Sequence, residues 1–147
     1  MAKKTLYNID RLLDEGLLRK IPASREKAGE SLRTAESWIK EAENNFHSKA
    51  FRSCIISSYL AMFHSARGML FGDGFREKSH FAVARYLEER YVKKNLLEGE
   101  WVELLDHYRE TRHDDQYSTS FFATQDDAEK ALHSAIEFVK RIKKFSE

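Results

Sequence analysis

The residues best suited to chemistry stand together in one short segment, residues 112–117, which reads Arg-His-Asp-Asp-Gln-Tyr. The segment combines a cation, an imidazole, two carboxylates and a phenol near the end of an otherwise amphipathic helix. A guanidinium in such company suits a phosphate or RNA site, because its planar fork donates two parallel hydrogen bonds to phosphate oxygens. Residues 112–117 are therefore the first candidate for a functional site.

The helix that carries this segment has an apolar stripe that runs into it. Trp101, Leu105 and Tyr108 are spaced four and then three residues apart, and the next position on this face is Arg112. An arginine on a core-facing stripe is costly to bury unless it is paired or faces a cavity. One interpretation is an ion pair with Asp115, three residues later on the same face. The other interpretation is a ligand site, and the sequence leaves both open.

Composition limits the classes of function. The chain has 147 residues, which suits one domain, and its net charge of +1 provides no general field for nucleic acid. Any contact with nucleic acid must come from a local cluster of charges. No apolar run approaches the roughly 20 residues of a membrane span. Residues 1–4 are basic, but the apolar region of a signal peptide does not follow them. The single cysteine, Cys54, reads as a small core residue, and we expect a cytoplasmic protein that does not engage a membrane.

The elements that must position these residues read as helices. Apolar residues repeat at spacings of three and four along three long segments, which favours near-antiparallel packing, and short connectors favour up-and-down topology. No alternating strand pattern persists. We expect an all-α fold, a bundle of four or five helices with a short N-terminal helix. It forms one domain over 1–147, with a lead-in helix and connector at 1–23 and the bundle at 24–147.

Individual boundaries follow from capping residues and glycines. Ser24, Ser79 and Thr124 are predicted to begin helices, the last as a capping box with Asp127. The segment 72–74, Gly-Asp-Gly, is predicted to be the turn that ends the long helix starting near residue 49. Residues 17–23 read as a connector.

The same long helix has a second face of small residues, Ser57, Ala61 and Gly68, with His64 among them. Small residues in a row allow another backbone to approach closely. The partner is either a helix of the same chain or, alternatively, a second subunit or a groove into which His64 projects. The sequence does not separate these interpretations.

Several chemistries have no motif in the sequence. There is no Gly-rich phosphate loop, no paired-cysteine zinc spacing and no His-Glu-x-x-His. We therefore expect no cofactor and no metal. A site assembled through space from His64, His80 and His113 remains as an alternative.

Several strings of residues together resemble one family. Residues 59–67 read Tyr-Leu-Ala-Met-Phe-His-Ser-Ala-Arg, residues 79–83 read Ser-His-Phe-Ala-Val, and residues 91–97 read Tyr-Val-Lys-Lys-Asn-Leu-Leu. With the arginine-containing segment 105–117, they resemble the small stand-alone prokaryotic branch of the HEPN domains. The resemblance covers nearly the whole chain. It implies a helical bundle that often forms a homodimer, with a composite site at the two-fold axis. It also implies a toxin-like role beside a minimal nucleotidyltransferase partner, with RNA or a nucleotide as ligand.

The chain departs from the Arg-x(4–6)-His motif that many HEPN ribonucleases carry. After four intervening residues, Arg112 is followed by Tyr117 at the position of the motif histidine, and Arg109 is separated from His113 by only three residues. RNA cleavage needs a base that titrates near pH 7, as histidine does and an unperturbed tyrosine does not. The resemblance therefore implies a binding or regulatory subunit more than a ribonuclease. The alternatives are a metal-independent endoribonuclease and a purely structural bundle.

Residue roles follow from this resemblance as expectations. The expected ligand-binding residues are Arg112, Arg109 and His64. If the protein cleaves RNA, the candidate catalytic residues are Arg112, His113, Asp115 and Tyr117.

Overall fold

The structure, a computed structural model, describes the main chain of residues 7–117 and 122–146, and the side chains of these residues except 114–117. The helices and strands are α1 (Ile9–Asp14), β1 (Leu18–Lys20), α2 (Arg25–His47), α3 (Phe51–Asp73), β2 (Phe75–Glu77), α4 (His80–Leu87), α5 (Gly99–Tyr117) and α6 (Gln125–Lys143). A π-helical turn (Glu88–Val92) follows α4, and a 3₁₀ turn (Lys144–Ser146) follows α6. The predicted all-α class is confirmed.

The predicted helix starts are confirmed by side-chain caps. Ser24 Oγ accepts a hydrogen bond from the Lys27 amide at 3.0 Å, and Ser79 Oγ accepts one from the Ala82 amide at 3.3 Å. At α6, Thr124 and Asp127 exchange the two bonds of a capping box. These caps satisfy amides that have no acceptor within the first helical turn.

The end of α3 lies later than the sequence indicates. Gly72 and Asp73 still belong to the helix, and only Gly74, with φ +90°, leaves it in the left-handed region. A glycine can adopt helical backbone angles as other residues do, so Gly72, the first glycine of the predicted turn, did not end the helix. The helix that Ser79 begins is α-helical only to Leu87 and then changes to the π-helical turn.

The four long helices, α2, α3, α5 and α6, run alternately up and down, whereas the short α4 runs in the direction of α3: His80 at its start stacks on Phe63, and Tyr86 near its end donates to Asp73. α2 and α3 are antiparallel, since the start of one contacts the end of the other. α5 and α6 are also antiparallel, with Trp101 against Phe138 and Arg141 Nε 2.9 Å from Glu98 Oε1. α3 and α6 run in the same direction, since Cys54 Sγ lies 3.7 Å from the Ala128 carbonyl near the start of both. α3 is thus the central helix, contacting α2, α4, α5 and α6.

The small-residue face of α3 is covered by α2. A Cβ added at Gly68 would lie 3.1 Å from the main-chain oxygen of Ala28. Ser31 Oγ donates to the His64 carbonyl at 2.7 Å, and Asn45 Nδ2 donates to Ser57 Oγ at 2.9 Å. The first interpretation, a tight crossing within the chain, is therefore confirmed, and this face is not free for a second subunit.

A short antiparallel ribbon corrects the expectation that strands are absent. β1 pairs with β2 in the register Leu18 with Glu77 and Lys20 with Phe75, so the predicted connector 17–23 contains a strand. Two strands of three residues are too short to show a period-two pattern, and their partners are far apart in sequence. The ribbon attaches the N-terminal lead-in to the segment that immediately precedes α4.

Core packing accounts for the cysteine. Cys54 is fully buried, and burial raises the pKa of its thiol, so it is the core residue that the sequence predicts rather than a nucleophile.

Among the helices of the described residues, none combines the length and apolar character needed to cross a membrane.

Candidate functional site

An open cavity of about 610 Å³ lies between the N-terminus of α4 and the second half of α5. Five residues line it: His80, Arg109, Glu110, Arg112 and His113. The lining thus holds two guanidiniums and two imidazoles against one carboxylate. Such a surface is suited to an anion.

Arg112 reaches the cavity from the apolar stripe of α5. Leu105 and Tyr108 of that stripe are buried, and Arg112 is half-buried. Its Cζ lies 5.5 Å from the centroid of the buried Tyr59 ring, and its Nε is buried without an acceptor among the described residues. No described carboxylate forms an ion pair with it. Stacking on a ring supports the guanidinium while leaving its hydrogen-bond donors for a ligand.

Arg109 is held beside the cavity by carboxylates. Its Nη2 lies 3.3 Å from Asp106 Oδ1 and 3.7 Å from Glu110 Oε1. The other oxygen of Asp106 accepts a 2.6 Å hydrogen bond from the fully buried Arg85. Both arginines also lie over the Phe81 ring, at 5.3 Å for Arg85 and 5.4 Å for Arg109. Asp106 therefore fixes the position of Arg109 and neutralises part of its charge.

His80, the first residue of α4, brings an imidazole that the sequence grouped with His113 only in the alternative metal site, not with the arginines. Its ring stacks on Phe63 with centroids 4.0 Å apart and planes 12° apart. Its Nδ1 and the Tyr59 hydroxyl are hydrogen-bonded at 2.8 Å. The stacking on Phe63 and the hydrogen bond to Tyr59 together fix the orientation of the imidazole. Nε2 has no hydrogen-bond partner among the described residues, and the ring lines the cavity.

The surroundings of His80 keep its ring neutral. Burial first, and then the Arg112 charge, lower the pKa of His80 to about 4, with smaller contributions from Arg67 and Arg109 that Glu77 opposes. Burial also raises the pKa of Tyr59 well above its ordinary value. At neutral pH the pair is therefore a neutral imidazole bonded to a neutral phenol, beside the cationic Arg112.

A partly buried ion pair between Arg67 and Glu77 supports the Phe63 ring on which His80 stacks. Arg67 donates to Glu77 through Nε at 3.0 Å and through Nη2 at 2.6 Å, and its Cζ lies 5.2 Å from the Phe63 ring. Glu77 belongs to β2, whose pairing with β1 fixes the segment just before Ser79. The ribbon that the sequence did not predict thus helps to set the position of His80.

The structure brings some of the predicted site residues together. Arg112, Arg109 and His113 line one cavity. His64 is not part of that lining; it lies beside Arg67, and burial followed by the Arg67 charge lowers its pKa. The predicted grouping of His64 with the two arginines is therefore not found. The side chains of Asp115 and Tyr117 lie outside the described residues, so their roles and the Arg112–Asp115 ion pair stay predictions.

The sequence did not pair His80 with Arg112, because His80 precedes Arg112 by more than thirty residues. Two signals were present in the sequence. Ser79 was identified as a helix cap, which puts His80 at the exposed start of a helix. Tyr59, on the apolar stripe of α3, carries a hydroxyl that needs a partner when buried.

A metal site has no support among the residues that the structure describes. No group of three His, Cys, Asp or Glu side chains there is arranged to hold an ion. The alternative set of three histidines is not assembled, since His64 lies outside the cavity that His80 and His113 line.

Comparison with known proteins shows the family of this chain. A protein of Methanocaldococcus jannaschii named a putative toxin is 28% identical over 120 residues, covering 82% of this chain and 89% of that protein. A second such protein from the same organism is 23% identical, covering 76% of each chain. A UPF0332 protein of Archaeoglobus fulgidus is 28% identical, covering 76% of this chain and 89% of that protein. The sequence also matches the HEPN domain over residues 28–145, most of its length, and the chain belongs to the HEPN domain family.

Proposed function

We propose that this protein is the HEPN member of a toxin–antitoxin-like pair and that its cavity binds the phosphate groups of RNA or of a nucleotide. The observation that carries this proposal is Arg112, a half-buried guanidinium with a buried, unsatisfied Nε at an open cavity. A phosphate oxygen is an acceptor of the right charge and geometry for such a fork. The similarity to relatives named as toxins supports the toxin-like role.

The charge distribution favours a local, limited contact. The chain as a whole has a net charge of +1, so a long nucleic acid gains little away from the cavity. Within the cavity, Arg109 shares its charge with Asp106 and Glu110, whereas no described carboxylate pairs with Arg112. Arg112 is thus the main phosphate ligand in this proposal, and Arg109 an auxiliary one.

Partners belong to the same proposal. We propose a homodimer that associates with a minimal nucleotidyltransferase, because the family resemblance implies such pairs. Tyr117, at the position of the motif histidine, is then an acceptor for a transferred nucleotidyl group. The transfer would form a bond between its phenol oxygen and the α-phosphorus of a nucleoside triphosphate and release pyrophosphate.

The binding proposal is tested with a fluorescent 2′-O-methyl oligoribonucleotide, which binds as RNA does but is not cleaved through its 2′ oxygen. Arg112→Ala should weaken binding by about one to two orders of magnitude, since hydrogen bonds to charged groups contribute about 1.5–3 kcal/mol. Arg112→Lys should recover only part of the affinity, because an ammonium lacks the planar fork. Competition by a nucleoside monophosphate distinguishes a nucleotide site from an RNA site.

Arg33→Ala is the matched control, since Arg33 is an exposed arginine of α2 outside the cavity lining. It should bind the oligonucleotide as wild type does. Equal affinities of wild type and Arg112→Ala, or no measurable binding by the folded wild type, would contradict the proposal. A fall in melting temperature without any change in binding would favour the structural interpretation of Arg112.

A further inference from the structure

We propose that His80 Nε2 accepts the 2′-hydroxyl proton in RNA cleavage, so that Arg112 and His80 from two different helices replace the motif that the sequence lacks. This inference rests on the proposed function, since it requires RNA phosphate at the same cavity. It assigns the base to a residue far from Arg112 in sequence. Tyr59 is assigned as the positioning residue of that base.

The first argument is the shared support of the two side chains. Arg112 Cζ lies 5.5 Å from the centroid of the Tyr59 ring, and the hydroxyl of the same Tyr59 is bonded to His80 Nδ1 at 2.8 Å. Both side chains line the cavity. A phosphate bound by Arg112 therefore lies in the same space as the free Nε2 edge of His80.

The second argument is that the ring is held in one orientation. Stacking on Phe63 fixes its plane, and the Tyr59 bond fixes which nitrogen faces the protein. In the tautomer whose Nδ1–H donates to the Tyr59 oxygen, Nε2 carries the lone pair that accepts a proton. In many enzymes a nucleophile is activated by a base, and a third group orients that base. Tyr59 is that third group here.

The third argument concerns the charges that face His80 from each neighbouring element. α3 contributes Tyr59 and Arg67, β2 contributes Glu77, and α5 contributes Arg109 and Arg112. Burial and the arginines keep the free imidazole unprotonated, which is the state of a base, but they also lower its pKa to about 4, below the range near pH 7 that favours proton transfer. A phosphate on Arg112 offsets part of that positive charge and so raises the basicity of His80 when substrate is present.

The step balances without a metal or an oxidant. The 2′ oxygen gives its proton to His80 Nε2 and forms a bond to phosphorus, while Arg112 stabilises the charge that develops on the phosphoryl oxygens. The bond from phosphorus to the 5′ oxygen breaks, and that oxygen takes a proton from water at the open side of the cavity. The products are a 2′,3′-cyclic phosphate and a 5′-hydroxyl, and His80 returns its proton to solvent.

The test compares cleavage of an oligoribonucleotide in EDTA with binding of its 2′-O-methyl counterpart. Wild type should give products ending in a cyclic phosphate. His80→Asn, whose amide retains a polar group near the Tyr59 hydroxyl, should bind normally but cleave at least about a hundredfold more slowly, the usual contribution of a general base. His133→Asn is the matched control, because His133 is exposed on α6 outside the cavity, and it should cleave as wild type does.

The outcomes separate this inference from the proposed function. If wild type binds the oligonucleotide but does not cleave RNA, the His80 assignment is overturned and the binding function stands. Cleavage by His80→Asn within about threefold of wild type also overturns the assignment. If folded wild type does not bind at all, the proposed function itself fails. His80→Gln, checked by its melting temperature, serves as a second variant if His80→Asn is unfolded.

Discussion

At the scale of single residues, the site depends on how two polar side chains are held against aromatic rings. Arg112 lies over Tyr59, and His80 stacks on Phe63 while bonding to the Tyr59 hydroxyl. A ring provides contact area without providing a hydrogen-bond acceptor, so the guanidinium and Nε2 keep their polar groups for a ligand. Burial and the nearby Arg112 charge lower the pKa of His80 and thereby link the site to pH.

The stability of the protein should fall as the pH is lowered from about 6.5 towards 4. The pKa of His80 is about 4 in the folded protein and near 6.5 in an unfolded chain. Between these values the unfolded chain binds more protons, so the free energy of unfolding decreases with decreasing pH. The lowered pKa of His64 acts in the same direction. Urea unfolding at a series of pH values measures the effect.

His80→Asn tests the part of this slope that belongs to His80. The variant should lose less stability than wild type between pH 6.5 and 4, and His64 should account for much of what remains. The variant His133→Asn should keep the wild-type slope. An identical pH dependence in wild type and His80→Asn would show that His80 is not held neutral by the fold.

At the scale of elements, α3 determines the arrangement of the molecule. It packs on α2 through small residues on one face and supports the cavity through Tyr59 and Phe63 on another. The sequence predicted the small-residue face from its helical spacing, but it did not place Tyr59 and Phe63 beside the cavity. It did not predict the β1–β2 ribbon, because three-residue strands depend on partners far away in the chain rather than on local pattern. Only tertiary contacts reveal such a ribbon.

Two glycines of α3 should respond to alanine in opposite directions. A Cβ at Gly68 would lie 3.1 Å from the Ala28 main-chain oxygen, whereas a Cβ at Gly72 would make an ordinary 3.6 Å contact with the Ala28 side chain. Gly72→Ala should stabilise the protein by about 0.5–1 kcal/mol, the usual gain within a helix. Gly68→Ala should destabilise it by about 1 kcal/mol or more, because α2 must move away.

Thermal and urea unfolding of the two variants measures this difference, and each variant serves as the control for the other. A stabilised Gly68→Ala would mean that α2 and α3 are less tightly packed than the contacts at Ala28 and Ser31 indicate. Neither substitution lies in the cavity, so oligonucleotide binding should be unchanged in both.

At the scale of the whole molecule, the chain is an up-and-down HEPN bundle whose cavity opens near the end of α5. We expect light scattering to give twice the 17.2 kDa mass of the chain.

We also expect co-purification with a minimal nucleotidyltransferase that is expressed together with this protein. The peptide that contains Tyr117 should then increase in mass. Tyr117→Phe is the control for the modified position. A monomeric protein, or an unmodified Tyr117 in a stable complex, would contradict the respective part of the proposal.

By itself, the sequence determined the helical class, the caps that begin α2, α4 and α6, and the place of Arg112 on a buried stripe. These features are local, because side-chain periodicity and capping act within a few residues. Only the tertiary structure decided that α2 covers the small face of α3, that His64 lies apart from the arginines, and that His80 joins Arg112 at one cavity. These depend on contacts between residues tens of positions apart, and no local pattern encodes the direction from which such a neighbour approaches.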